Sequence, residues 1–162
     1  MKPERAARGP RLNLTVQYAV AASNVPGRAQ IRRWVRAALE HDARITVRIV
    51  GSNEGKVLNR SFRGRDRPTN VLAFVYRDVP PYEGDLALCA PVVTREAREQ
   101  RKSVAAHYAH LVVHGTLHLQ GYDHKKNEDA FVMEARESQI VTKLGYPAPY
   151  GMDDSKRMKA AR

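Results

Sequence analysis

Five of the six histidines of this 162-residue chain, His107, His110, His114, His118 and His124, fall within one 18-residue window. The surrounding segment, 104–119, reads as one long helix. Ser103 can cap its start, and Gly121 can end it in a left-handed conformation. His114 and His118 stand four residues apart on that helix, so their rings project from one face, one turn apart, and can share a metal ion. His124 follows six residues later, and the intervening glycine lets the chain reverse and return a third imidazole. Three neutral nitrogen ligands leave a coordination position open, the arrangement of catalytic rather than structural zinc. An ion so held lowers the pKa of bound water from about 15.7 to about 7. Zinc, one per chain, is the first expectation, although three imidazoles also suit nickel, cobalt or copper. His110 lies one turn before His114, and Asp123 adjoins His124. Each is a candidate to orient a ligand ring or to pass a proton. Asp123 reads equally well as a turn residue, and His107 as structural.

The residue after the first ligand is as informative as the ligands. Zinc peptidases of the His-Glu-x-x-His type carry their general base there, and this chain has Gly115. Phosphodiester cleavage depends less on one such base, because a cation on the phosphate carries much of the work.

The rest of the chain supplies a frame for that helix. Alternating or β-branched segments at 12–17, 45–50, 71–76 and 85–89 predict four strands. Helical spacing predicts helices over 29–39, 54–62, 94–102 and 128–144 besides the histidine helix. Gly51, Ser52 and Asn53 are placed to cap the second of these, and Pro80-Pro81 with Gly84 break the chain before the last strand. Trp34 belongs to an apolar helical stripe and is expected in the core. Four strands beside four to five helices predict one α+β layer architecture. The expected divisions are a basic tail at 1–11, one domain at 12–150, and a second basic tail at 151–162. Hydrophobic residues make up 43% and charged residues 28%, ordinary for a globular chain. No stretch has the ~18–20 apolar residues of a membrane span. The charged N-terminus does not look like a secretory signal. The single cysteine, Cys89, excludes a disulfide framework within the chain and a thiolate-rich zinc site. A reducing cytoplasm is the expected location, with no membrane partner.

The charge bears on partners. Lys and Arg total 28 against 17 Asp and Glu, a net charge of +11, and a polyanion is its natural complement. Arg28, Arg32, Arg33 and Arg36 recur at mostly helical spacing. Arg60, Arg63, Arg65 and Arg67 crowd around a short glycine-containing loop, the last three within the basic loop read over 63–70. The planar fork of arginine suits phosphate oxygens better than the point charge of lysine.

The run His114-Gly-Thr-Leu-His118-Leu-Gln-Gly-Tyr-Asp-His124 resembles the signature of the YbeY family, bacterial endoribonucleases of ribosomal RNA maturation. A second match is Leu58-Asn59-Arg60-Ser61-Phe62-Arg63-Gly64-Arg65-Asp66-Arg67-Pro68-Thr69-Asn70-Val71-Leu72, and a third is Gly84-Asp85-Leu86. The resemblance spans roughly 12–149 and departs at Ala73 and Val75, where the family often has Ser and Pro. It implies an α+β metal-hydrolase-like single domain with a small mixed four-stranded sheet. It implies zinc held by His114, His118 and His124, and a catalytic Arg63 near the metal in a basic cleft, clamping the scissile phosphate. Arg60, Arg65 and Arg67 are then candidates to bind flanking RNA. By the same resemblance the substrate is single-stranded RNA, with roles in 16S rRNA 3′-end maturation and ribosome quality control. Ribosomal RNA, the small subunit and its associated proteins are the implied partners. The two competing readings are a non-catalytic zinc-containing ribosome-assembly factor and, with Gly115 against it, a metallopeptidase.

Overall fold

A computed structural model describes residues 9–21, 24–65, 67, 69–123 and 125–150. The alternating strand segments form β1 (Leu12–Tyr18), β2 (Ala43–Val50), β3 (Val71–Arg77) and β4 (Tyr82–Cys89). They make a mixed sheet in the order β1-β2-β4-β3, in which β1–β2 and β2–β4 are parallel and β3–β4 is antiparallel. Among the described residues five helices accompany them: α1 (Arg28–Ala38), α2 (Ser52–Arg63), α3 (Ala90–Glu99), α4 (Val104–Leu119) and α5 (Asn127–Lys143). The α+β class and the small mixed sheet expected from the sequence are both present. None of these helices is long and apolar enough to cross a membrane.

Differences from the predicted boundaries have local causes. Helix α3 begins four residues before the predicted start, because Pro91 falls in its first turn, where the missing N–H costs nothing. Helix α2 starts at Ser52, and neither Ser52 nor Asn53 caps it: Gly51 is its N-cap, without a side-chain bond. Its C-terminal end reaches Arg63, with Gly64 at φ 69° closing it, so Arg63 is helical rather than a loop residue. Strand β4 starts at Tyr82 rather than at 85, pairing with β2 from Ala43 onward. The expected basic tails lie outside the described residues except at 9–11, where Arg11 N–H donates to Asp42 at 2.8 Å.

The core lies between the sheet and helices α1 and α4. Ile45, Val47, Ile49, Leu86 and Leu88 face Trp34, Val35, Ala109 and Val112, all at most 2% exposed. Trp34 is fully buried as its stripe predicted, its ring edge-on to Tyr146. Helix α4 is buried on nearly every side, as expected of a helix apolar all round. Ser103 caps it by accepting from the Ala106 N–H at 3.0 Å. Gln120 ends it and ties it to α1: its amide donates to the carbonyls of Ala38 (2.9 Å) and Thr116 (3.0 Å), and its oxygen accepts from the N–H groups of Glu40 and His41. Gly121 follows at φ 102°, as the sequence predicted. The histidine face is thereby held at both ends.

Candidate metal centre and basic pocket

His114 and His118 lie on the last turns of α4, and each ring is fixed through its Nδ1. His114 Nδ1 lies 2.5 Å from Oε1 of Glu137, and His118 Nδ1 lies 3.0 Å from the Tyr122 carbonyl oxygen. A carboxylate and a carbonyl only accept, so each Nδ1 carries the proton. In the neutral ring the lone pair is then on Nε2, the tautomer in which imidazole binds a metal ion. The donor set fits a divalent cation on that ground. His124, the third expected ligand, lies outside the described residues.

Glu137 is the group the sequence did not reveal. It comes from α5, is fully buried, and accepts from Tyr150 Oη at 2.6 Å as well as from His114. His110 Nε2 stands 3.4 Å from the same carboxylate and 3.3 Å from Tyr150 Oη. Burial by itself would raise the carboxyl pKa. The hydrogen bonds from His110, His114 and Tyr150 outweigh it and hold the group at about 2. An acid at that position of an amphipathic helix looks in sequence like its exposed neighbours. Its role arises from the packing of α5 on α4, which sequence spacing does not encode.

The turn after α4 is braced as well. Tyr122, whose carbonyl orients His118, donates its hydroxyl to Glu40 at 3.0 Å, and Arg136 of α5 holds the same carboxylate at 3.0 Å. Asp123 makes the turn contact foreseen for it, accepting from the Lys125 N–H at 3.2 Å. His107 is buried against Glu96 at 2.8 Å, the structural role expected of it. Burial lowers its pKa, partly opposed by that hydrogen bond.

The arginine motif is placed elsewhere. Arg63, Arg65 and Arg67 line a cavity of about 220 Å³ with Asn59, Thr69, Asn70, Arg95 and Glu96, and neither His114 nor His118 is in its wall. The connection to α4 runs through Glu96, whose Oε1 meets both His107 Nε2 (2.8 Å) and Asn70 Nδ2 (2.9 Å). Arg60 projects from α2 outside that cavity. Arg95 had no signal in the sequence beyond its charge.

Fold and site define the class: a single α+β domain carrying paired imidazoles on a buried helix, with an arginine-lined pocket nearby. The family model described as Endoribonuclease YbeY matches residues 19–145, and the chain belongs to that family. A Nitrosomonas eutropha protein named Endoribonuclease YbeY is 60% identical over 137 residues, covering 85% of this chain and 97% of its own. One of the same name from Thiobacillus denitrificans is 56% identical over 143 residues, 87% of this chain and 97% of its own. A Thermotoga maritima protein known from a solution structure matches with a TM-score of 0.60 at 26% identity, covering 91% of this chain and 94% of its own.

Proposed function

We propose that this chain is a zinc-dependent endoribonuclease that cuts single-stranded RNA, acting in 16S rRNA 3′-end maturation and ribosome quality control. Its setting is the cytoplasm, and its partners are ribosomal RNA and the small ribosomal subunit with its proteins. The observation that carries the reading is the pair His114 and His118, one turn apart on α4, each with its Nδ1 proton committed to a fixed acceptor, the tautomer in which Nε2 is the ligating nitrogen. The relatives' printed name and the net charge of +11 point to the same polyanionic substrate.

His114, His118 and His124 would hold one zinc ion, which when bound supplies Lewis-acid chemistry toward a phosphoryl group and water. Glu137 keeps the His114 ring in the ligating tautomer, and Tyr122 does the same for His118. Arg63, in the wall of the basic pocket, clamps the scissile phosphate and offsets the charge that develops on it. Arg60, Arg65 and Arg67 hold flanking phosphates. His110 and Asp123 steady the ligand shell, His110 through Glu137.

The test is His114→Ala in protein freed of contaminating nuclease. Cleavage of single-stranded RNA falls to background, and bound zinc drops well below one per chain. Cleavage at the wild-type rate overturns the proposal.

A further inference from the structure

The pocket holding Arg63 contains two residues that the histidine chemistry does not use, Asn59 and Arg95. Asn59 is 1% exposed, and its amide is fixed by donating to the Arg67 carbonyl at 2.6 Å. Its Oδ1 is itself buried and finds no hydrogen-bond partner among the described residues. Among the described residues Arg95, from α3, is paired only at 3.7 Å with an exposed Glu99, a weak surface contact. The pocket's carboxylate, Glu96, is engaged by Asn70 and His107 through one oxygen, Oε1, and its single negative charge is outnumbered by the arginines. The wall thus offers four guanidinium groups and one buried, unpaired acceptor.

That combination specifies its occupant. Guanidinium groups gather a phosphate. A phosphodiester oxygen only accepts, so it cannot satisfy Asn59 Oδ1, which needs a donor. In a nucleic-acid backbone that donor is the ribose 2′-hydroxyl, which DNA lacks. We propose that this pocket receives one RNA backbone phosphate on Arg65, Arg67 and Arg95, with Asn59 Oδ1 accepting from the adjoining 2′-hydroxyl. At about 220 Å³ it is smaller than the roughly 300–1,000 Å³ clefts that enclose drug-sized ligands. It suits a phosphate and its sugar rather than a whole nucleotide. Its tie to α4 is at His107, seven residues before His114, or about 10 Å along the helix axis. The nucleotide held here is therefore one that flanks the cut. A second cavity among the described residues, on the outer face of the sheet, suits a phosphate poorly, since Glu54 neutralises its Arg48 and Asp85 adds negative charge.

The inference rests on the endoribonuclease reading for the choice of polymer, and the experiment separates the two. The full chain, in excess chelator to stop cutting, is titrated into labelled single-stranded RNA, the same sequence as DNA, and RNAs with one 2′-deoxy nucleotide moved along the strand. Removing the hydroxyl at one position weakens binding roughly 3- to 10-fold, the effect of one lost hydrogen bond, and the loss at that position disappears in Asn59→Leu. Arg95→Gln weakens RNA and DNA alike and lowers the salt slope by about 1. Equal tolerance of deoxy substitution at every position overturns the proposal, as does a position-specific loss that persists in folded Asn59→Leu. The deoxy series uses the unaltered chain, so it decides the matter even if Asn59→Leu does not fold. RNA bound with the expected pattern but never cut when zinc is restored refutes the nuclease reading and supports the pocket. RNA cut normally with no deoxy-sensitive position refutes the pocket alone.

Discussion

The two faces of the sheet are built to different tolerances. On the inner face α4 lies directly against β4, and two glycines make that possible. A Cβ on Gly84 would come within 2.6 Å of the Phe74 carbonyl oxygen and 2.5 Å of Leu119, and one on Gly115 within 2.6 Å of Leu86. On the outer face α2 stands off the strands over a cavity of about 170 Å³ lined by Gln17, Arg48, Glu54, Tyr76 and Asp85. Phe62 and Tyr76 at its margin are about two-thirds exposed. The close-packed face carries the histidines proposed to hold the metal, whose geometry would have to be held to a few tenths of an ångström. On the proposed function the basic segment at the end of α2 would meet a long polymer, for which surface charge and room to adjust matter more. Gly115, which marks the departure from the peptidase motif, also has a plain steric reason to be glycine.

The contrast is broken most directly at Gly84. Gly84→Ala is expected to cost about 3 kcal/mol, the upper part of the range for overpacking, because one of its obstacles is backbone and cannot rotate away. For a chain of this length that lowers Tm by roughly 6–12 °C. Gly115→Ala costs less, since only the Leu86 side chain must move. Thermal melts of the two variants check the ranking, and a Gly84→Ala melt within a degree of wild type would mean that the inner face is not tightly packed.

Next in size is Glu137→Leu. It removes the acceptor from His114 and frees that ring to take either tautomer. Loss of such a partner typically weakens metal binding by about 10- to 100-fold. Zinc affinity measured by competition with a chelator reads the effect directly. If affinity is unchanged while the melt shifts, Glu137 is a buried structural acid and no more.

What the sequence disclosed and what it hid follow the same division. The histidine helix was legible because its period, its Ser103 cap and its Gly121 stop are local signals, and two ligands on one face follow from four-residue spacing. The strand segments were legible from alternation, but their order was not. The parallel neighbours β2 and β4 are separated in the chain by α2 and β3, and nothing local encodes that pairing. The ends of α2 and α3 were misjudged where backbone rules prevailed over side-chain ones. Gly51 serves as a cap without a side chain, and Pro91 is harmless in a first turn. Glu137, Asn59 and Arg95 were invisible because their meaning comes from partners 23, 8 and about 30 residues away. The resemblance supplied Arg63 with a role, and the fold shows the company it keeps: a pocket of arginines rather than the histidine pair.

The smallest expected effect belongs to the outer face. Arg48 binds Glu54 through two nitrogens, at 2.7 and 3.0 Å. The hydrogen bond from Arg48 lowers the Glu54 pKa, against a smaller opposing effect of burial, and the same pair raises that of Arg48. A carboxyl whose folded pKa lies below its unfolded value of about 4.3 stabilises the fold above that value. The contribution is lost as pH falls through the folded pKa. Both side chains are more than a third exposed, so solvent screens the pair and its worth is about 0.5–1 kcal/mol. Glu54→Gln should therefore be less stable than wild type by that amount at pH 7, equal to it near pH 2, and closer to it in ~1 M salt than in ~0.1 M. Urea melts at the two pH values measure the difference. A gap that persists in acid would mean the loss is one of packing, and that the outer face is as tightly fitted as the inner.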